Sequence, residues 1–206
     1  MIWGKRCKLV KILTCMLFAI LFIGWSGDWE RLRKESRDVE TIGADFVQEK
    51  HLRILSRPLI SKGIFYFQSP RSLRWEYRSP IKSILLMHDG KIARYVGGEG
   101  GFKEKSGPGL KAMQVVLQEI TRWLKGHFDG NPNFTATLER GGKIVLTPKQ
   151  GPFSAMIKRI EIRLSDRGGV IETVKIYEGE DSFTLIKFEN VRINGPLNAS
   201  LFQEIR

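Results

Sequence analysis

The three histidines are the side chains in this sequence best suited to metal binding or proton transfer, but they lie far apart in the chain. His51, His88 and His127 have no second ligand at the short spacing of a metal site. Serine hydrolases place their nucleophile in a Gly-x-Ser-x-Gly turn, and the sequence contains none. We therefore predict no metal, no cofactor and no hydrolase site.

Two other classes of site are also disfavoured. The glycine-rich residues 97–109, GGEGGFKEKSGPG, lack the Gly-x-x-x-x-Gly-Lys-Ser/Thr pattern of a phosphate-binding loop, and we interpret them as a mobile loop or hinge. Asp129, Glu139 and Glu161 cannot be paired as general acid and base, so we interpret them as solvated charges. The sequence predicts a protein that is not an enzyme.

What remains is hydrophobic binding. Large apolar side chains alternate along neighbouring predicted strands, and such a stripe either fills a core or lines a cavity for an apolar ligand. The candidate lining comprises Phe46, Phe65, Phe67, Leu73, Trp75, Tyr77, Ile84 and Leu86. A solid core is the simpler interpretation. A cavity is favoured because few helices cover the sheet, and because the strongest predicted helix follows the glycine-rich loop as a lid would. The lid would add Met113, Val116, Leu117 and Ile120 to the lining.

The elements that would position these residues can be read from periodicity. Asp28 can cap an amphipathic helix that carries Trp29, Leu32, Val39 and Ile42. Two aromatic-rich strands flank the break at residues 69–71, and a third ends at the turn of residues 89–90, from which another strand returns. Residues 110–127 have one apolar and one polar face and form the second predicted helix.

The C-terminal part alternates short strands with tight turns. Within residues 182–193 the apolar residues change phase along one long strand, which predicts a β-bulge of the kind that bends a sheet toward closure. We therefore predict an α+β fold, a meandering antiparallel sheet or half-barrel with two helices available to cover its open face.

The first 26 residues have the features of an export signal. Residues 1–11 carry four positive charges and no acid, and residues 12–25 are uncharged, which suits a signal peptide better than a membrane span of about 20 apolar residues. Gly24 and Ser26 fit a cleavage site, and an uncleaved N-terminal anchor is the alternative. The predicted domains are residues 1–26 as signal peptide or anchor and residues 27–206 as one exported domain.

Charge and cysteine content limit the partners. Without residues 1–26 the net charge falls from +12 to +8, which suits an acidic partner or an anionic surface, or simply a soluble basic protein. Export argues against nucleic-acid binding. Both cysteines, Cys7 and Cys15, lie in the export segment, so the domain has no disulfide, and Cys15 lacks the surroundings of a lipidation site.

Several motifs resemble the LolA-type family of periplasmic outer-membrane lipoprotein carriers. They are residues 45–48 (DFVQ), 63–67 (GIFYF), 70–77 (PRSLRWEY) with Pro80, the Asp-Gly of residues 89–90, and the C-terminal Pro-Leu-Asn of residues 196–198 with Leu201 and Phe202. The match runs in order along the mature chain, and residues 70–77 are its specific part.

The resemblance implies an incomplete (unclosed) antiparallel β-barrel, with helices covering its open face as a lid and an apolar cavity for the acyl chains of lipoproteins. It also implies a monomeric periplasmic carrier that takes lipoproteins from an inner-membrane ABC-type release complex to an outer-membrane receptor. It implies that Trp75 lies in the cavity and that Leu73 lies near its mouth. Family members have an arginine before the proline of residue 70, which ties the lid shut, and this chain has Ser69 there. We assign lid control to Ser69 and to the nearby Arg71 and Arg74.

Two alternatives stay open, and a third can be set aside. The chain could carry another lipid, such as a glycolipid or phospholipid, or it could be an exported scaffold with a solid core. An outer-membrane receptor of the same fold would need a lipidated cysteine at the mature start, and there is none.

Overall fold

In a computed structural model, the described part of the chain forms one antiparallel sheet of eleven strands and two α-helices. The structure describes residues 26–107, 109–151, 153–166, 169–203 and 205, so the predicted export segment lies outside the described residues except for Ser26. The helices are α1 (Ser26–Arg37) and α2 (Gly109–Leu124), with a short 3-10 helix at Ala199–Phe202. The strands are β1 (Thr41–His51), β2 (Leu59–Gln68), β3 (Ser72–Ser79), β4 (Ser83–His88), β5 (Lys91–Gly98), β6 (Gly101–Glu104), β7 (Phe134–Glu139), β8 (Lys143–Pro148), β9 (Arg159–Leu164), β10 (Ile171–Tyr177) and β11 (Phe183–Ile193).

The strand order makes the sheet an incomplete barrel. Strands β1 to β6 run outward to one edge, and β7 to β11 return from the other edge until β11 pairs with β1. The edge strands β6 and β7 are not paired with each other, so the barrel is open between them. Because α2 connects these two edges, the chain must cross the opening at this helix. The predicted fold class is confirmed.

Two local features curve the sheet. Between β1 and β11 the register shifts near Gly43 and Asp45, and Asn190 of β11 has a φ of 52°, which marks the predicted bulge. Between β2 and β3 the register shifts at Gly63. A Cβ on Gly63 would lie 1.9 Å from the carbonyl oxygen of Glu76, so only glycine permits the two strands to approach this closely.

The two faces of the sheet pack against different partners. The inner face packs against both helices in a large core that includes Leu32 of α1 and Leu117, Trp123 and Leu124 of α2. On the outer face of β2 to β5, Ile84, Leu86 and Phe202 form the centre of a smaller cluster under the C-terminal segment. Among the described residues, no helix is long and apolar enough to cross a bilayer.

Two expected boundaries were wrong. Helix α1 ends at Arg37, and Ile42 lies instead in β1, where it pairs with both neighbouring strands. An apolar residue in this position fits either period, and strand pairing decides it. The glycine-rich segment was expected to be wholly a loop, but it contains β6 and the end of β5, since Gly101 (φ of 93°) begins the second strand of a tight hairpin.

Candidate ligand cavity

An apolar cavity of about 90 Å³ lies between the inner face of the sheet and α2. Its wall is apolar apart from one carboxylate, that of Glu119. The lining residues are Ile42, Ala44, Phe65, Trp75, Val116, Glu119, Ile120, Trp123, Leu124, Phe134, Phe153, Ile157, Ile160, Val170, Ile171, Val174, Ile176, Ile186, Phe188 and Val191. Such a surface offers a ligand dispersion contacts and exclusion from water, with almost no polar recognition.

An aromatic cluster around Trp75 forms one side of this cavity. The Trp75 ring lies 5.3 Å from the ring centres of both Phe46 and Phe65, and 6.1 Å from that of Phe188. Phe65 and Phe188 meet Trp75 edge to face, an arrangement favoured by the quadrupoles of the rings. Since only Phe65, Trp75 and Phe188 reach the lining, Phe46 supports this wall from behind.

Tyr77 extends the cluster away from the cavity. Its ring meets Phe46 edge to face at 5.2 Å, and its hydroxyl donates a 2.9 Å hydrogen bond to Oε1 of Gln48. Burial raises the pKa of Tyr77 to about 12, so the phenol stays neutral and remains a donor at physiological pH. The hydrogen bond from Tyr77 to Gln48 therefore fixes the position of the aromatic cluster on this side.

Helix α2 is fixed to its surroundings through a buried carboxylate. Glu119 is only 4% exposed, and its two oxygens accept hydrogen bonds from the side-chain amides of Asn131 and Asn133, the latter at 2.8 Å. Asn131 in turn accepts hydrogen bonds from the backbone N–H groups of Asn133 and Phe134. A charge buried this deeply requires such partners, and they attach α2 to the segment before β7.

The C-terminal end of α2 is also bound to α1. Nζ of Lys125 donates to the carbonyl of Val39 at 2.6 Å, and Arg33 forms a 2.6 Å ion pair with Asp129. Gly126, with φ of 72°, ends the helix so close to α1 that a Cβ would lie 2.8 Å from the carbonyl oxygen of Leu32. By contrast, Val116 in the first half of α2 is 40% exposed. The helix is held at its C-terminal end and is less buried toward its N-terminal end.

The structure brings part of the predicted lining together. Phe65, Trp75, Val116 and Ile120 line the cavity. The other members of the inner-face set pack in the core around it and do not reach its surface; they are Phe46, Phe67, Leu73, Tyr77 and Leu117. Met113 is half-buried on α2 and lies outside the lining.

Ile84 and Leu86 require a correction, because they lie on the opposite face of the sheet. The register pairs Leu85 with Trp75 and places Leu86 opposite Arg74, so that Leu85 points inward and Leu86 outward. All four residues from Ile84 to Met87 are apolar, so alternation of polarity could not set the phase of this strand.

The residues assigned to lid control lie in β3 and in the turn that precedes it. Ser69 donates its backbone N–H to the carbonyl of Glu40, and Arg71 is exposed in the turn between β2 and β3. Arg74 is buried on the outer face, where it donates to Glu76 (2.8 Å) and to the carbonyl of Leu201 (2.9 Å). Leu73, expected at the mouth, is 0% exposed. Strand alternation turns Arg74 away from the cavity, and the assignment of lid control to Ser69, Arg71 and Arg74 stays a prediction.

Sequence reasoning missed two groups of residues at this site. Glu119 was not recognised as a buried anchor, although a lone acid three residues after Val116 and four before Trp123 lies toward the apolar face of the helix. The part of the wall that strands β7 to β11 and the loop at residues 149–158 form was also missed. It supplies about half of the lining. Their alternating apolar residues were the available signal.

One polar constellation resembles a catalytic one only in composition. Oγ of Ser72 and Nδ1 of His88 are 2.8 Å apart, and Nε2 of His88 lies 3.5 Å from Asp89. In serine hydrolases the nucleophile bonds Nε2 and the acid bonds Nδ1, which is the reverse order. Ser72 is only 8% exposed and lies outside the cavity, so this triplet links β3 to β4. Among the described residues, no group of three or more His, Cys, Asp or Glu side chains could hold a metal ion.

The size of the cavity limits what it can hold in this conformation. Sites for drug-sized ligands measure about 300–1,000 Å³, several times the volume found here. An acyl chain could therefore enter only if the wall moved. The part of the wall with the fewest constraints is the N-terminal half of α2, because its buried polar anchors lie at or beyond Glu119.

Comparisons with known proteins agree with this architecture. The sequence matches the profile of a family described as outer membrane lipoprotein carrier protein LolA over residues 37–97 and 110–204. A protein of Methylococcus capsulatus named outer-membrane lipoprotein carrier protein is 28% identical over 181 residues, covering 84% of this chain and 81% of that protein. The gap in the profile match coincides with β6 and the approach to α2.

Solved structures show more distant likenesses. A DUF1329 family protein from Desulfovibrio piger superposes with a TM-score of 0.48 at 12% identity, covering 86% of this chain and 96% of that one. A LolA superfamily protein from Nitrosomonas europaea superposes with a TM-score of 0.42 at 7% identity, covering 85% and 97%.

Proposed function

Because the chain belongs to the outer membrane lipoprotein carrier family, LolA, we propose that it is a periplasmic, non-enzymatic carrier that binds the acyl chains of lipoproteins in its apolar cavity and delivers them from the inner to the outer membrane. The observation that carries this proposal is an almost wholly apolar cavity beneath a helix that bridges the open side of the barrel. Its donor would be an ABC-type release complex in the inner membrane, and its acceptor an outer-membrane receptor where one exists.

The energetics favour a ligand with long alkyl chains. Each methylene group removed from water contributes about 0.8 kcal/mol, so even one long chain provides a large driving force for binding. The wall offers no cation to pair with a carboxylate or phosphate, which directs recognition to the apolar part of the ligand. Any polar head would remain at the surface.

A carrier must also release its ligand, and the small cavity supports a way to do so. Apolar side chains of α2, including Val116 in its less constrained N-terminal half, line the same cavity as the aromatic wall. A ligand must displace this packing, which lowers its net affinity and allows transfer to a partner. On this view α2 competes with the cargo for the same surface.

The test is recovery of the protein with its bound lipid. We expect Ile120→Glu to lose co-purifying lipoprotein, because a carboxylate in an apolar cavity costs several kcal/mol. The matched control is Ile54→Glu, which makes the same change at a side chain that is 87% exposed. Equal lipoprotein recovery from both variants would contradict the proposal.

Native mass spectrometry of the same preparations identifies the cargo. A lipoprotein-derived diacyl or triacyl mass supports the proposal, whereas a glycolipid or phospholipid would make this a carrier of another lipid. A protein with no bound lipid and no uptake of an apolar dye would be the exported scaffold with a solid core.

A further inference from the structure

A second depression, distinct from the apolar cavity, lies between α1 and the C-terminal part of α2 and is strongly basic. This basic groove measures about 420 Å³ and is lined by Arg33, Arg37, Thr121, Arg122, Lys125 and His127. No acidic side chain is part of its lining. It lies on the side of α2 that faces away from the cavity, since Thr121, Arg122 and Lys125 do not line the latter.

The charges in the groove are largely uncompensated. Arg33 forms ion pairs with Glu30 and Asp129. Arg37 and Arg122 form no ion pair or side-chain hydrogen bond with any residue that the structure describes, and Lys125 is bonded only to a backbone carbonyl. Three like charges in one small groove repel one another, and a bound anion would relieve that repulsion.

A buried donor in the groove supports the same interpretation. Nε of Arg122 is buried and has no hydrogen-bond partner among the described residues. An unsatisfied donor of this kind carries a desolvation cost that a bound acceptor would offset. Nearby, the hydroxyl of Thr121 donates to the carbonyl of Leu117, and its oxygen retains the capacity to accept a hydrogen bond.

Helix dipoles account for only part of this arrangement. The C-terminal ends of α1 and α2 meet here, and basic residues are favourable at such ends. This explains Lys125, whose ammonium group donates to the carbonyl of Val39. Arg37 and Arg122 lie in the last turns of their helices and also gain from the dipoles, but the dipoles leave both guanidinium groups without a hydrogen-bond partner among the described residues.

We propose that the basic groove is a binding site for a phosphate group. Phosphate carries up to two negative charges and presents several strong acceptor oxygens, which match the forked donors of Arg37 and Arg122 and the ammonium group of Lys125. With a volume of about 420 Å³, the groove has room for a phosphate group together with the part of the molecule that carries it. The phosphate could belong to a phospholipid headgroup or to a soluble phosphate ester.

Binding would have a structural consequence for the helices. The groove is lined by Arg33 and Arg37 near the end of α1, by Thr121 and Arg122 in the last turn of α2, and by Lys125 and His127 just after it. A bridging anion would therefore strengthen the attachment of α2 at the end where it is already anchored, and it would raise the thermal stability of the protein.

The experiment uses the full-length protein with two probes. Inorganic phosphate is titrated by calorimetry and followed by NMR, with sodium chloride at equal ionic strength as reference for charge screening. Vesicles of phosphatidylglycerol in phosphatidylcholine are tested by flotation against vesicles of phosphatidylcholine alone. We expect Arg37→Gln combined with Arg122→Gln to weaken binding at least tenfold, since hydrogen bonds to charged groups are lost.

The matched control is Arg31→Gln combined with Arg140→Gln, which removes the same charge from exposed arginines outside the groove. Loss of phosphate binding in the groove variant alone supports a site for soluble phosphate. Loss of vesicle binding alone, with no phosphate binding in the native protein, supports a headgroup site. Binding that is absent with both probes, or that falls equally in the control, overturns the proposal. Should the groove variant not fold, phosphate-induced NMR shifts in the native protein that lie outside residues 33–37 and 121–127 would overturn it equally.

Discussion

Two buried charged side chains in this protein connect separate segments of the chain through hydrogen bonds. Glu119 holds α2 through two asparagine amides, and Arg74 holds the C-terminal segment through the carbonyl of Leu201. Glu76 holds Arg74 in place by accepting hydrogen bonds from Arg74 and Arg78. Each carboxylate or guanidinium has its partners, as burial requires, and Arg74 joins two segments that are distant in sequence.

The Arg74 and Glu76 pair predicts a dependence of stability on pH. Burial acts to raise the pKa of Glu76, but the hydrogen bonds from Arg74 and Arg78 outweigh it and hold the pKa below the ordinary value for glutamate. A carboxyl group with a lowered pKa in the folded state stabilises the protein above its unfolded pKa of 4.5. That stability is lost as the pH falls through the folded value.

We therefore expect Glu76→Gln to lower the free energy of unfolding at pH 7, and to differ less from the native protein once the pH is well below 4.5. Urea unfolding at a series of pH values measures this. Glu104→Gln, at an exposed carboxylate with no ion pair among the described residues, is the control and should track the native protein throughout. A difference that stays constant from pH 7 to pH 3 would contradict the linkage.

At the scale of elements, the sequence predicted the hairpins and α2 but not the edge of the sheet. Asp89 and Gly90 marked a turn by residue type alone, because both adopt positive φ there. Strand β6 was missed because its glycines suggested a loop, and only pairing with β5 makes it a strand. Ile84 was assigned to the wrong face of the sheet, because residues 84–87 are all apolar and show no alternation of polar and apolar side chains.

Helix α2 combines a fixed end with an exposed end, and Glu119 marks the boundary. We expect Glu119→Ala to leave the amides of Asn131 and Asn133 unpaired, at a cost of about 1–3 kcal/mol in the free energy of unfolding. Loosening the helix should also speed hydrogen exchange along residues 113–124 and increase the uptake of an apolar dye. Gln118→Ala, one residue away and exposed, is the control. Faster exchange without greater dye uptake would show that α2 does not gate the cavity.

At the scale of the whole molecule, the barrel is open on one side and its cavity is small, so the protein is closely packed in this conformation. The general architecture followed from strands of regular spacing and two amphipathic helices, which leave few other arrangements. The identity of the cavity wall did not follow, because residues such as Phe134 and Val174 meet Trp75 only through long-range pairing. Register and bulges decide which members of an apolar stripe face a void and which fill the core.

A substitution that fills the cavity should raise the free energy of unfolding and lower ligand binding. Ala44 lies in the lining and is 3% exposed, so Ala44→Leu would place additional carbon atoms directly in a space of about 90 Å³. Cavities cost about 24 cal/mol per Å³, so the largest possible gain in the free energy of unfolding is about 2 kcal/mol. Strain from imperfect fit would reduce that gain.

The same substitution should lower ligand uptake, because a leucine side chain would stand where an acyl chain must lie against Trp75 and Phe65. Thermal unfolding and dye titration measure the two effects on one preparation. Ala93→Leu makes the same change on the outer face, opposite Leu86, and should leave uptake unaltered. If Ala44→Leu instead binds the dye as the native protein does while gaining stability, the ligand lies elsewhere and the cavity is only a packing defect. If Ala44→Leu is more stable than the native protein and takes up less dye, the empty space beneath α2 is the space that the ligand occupies.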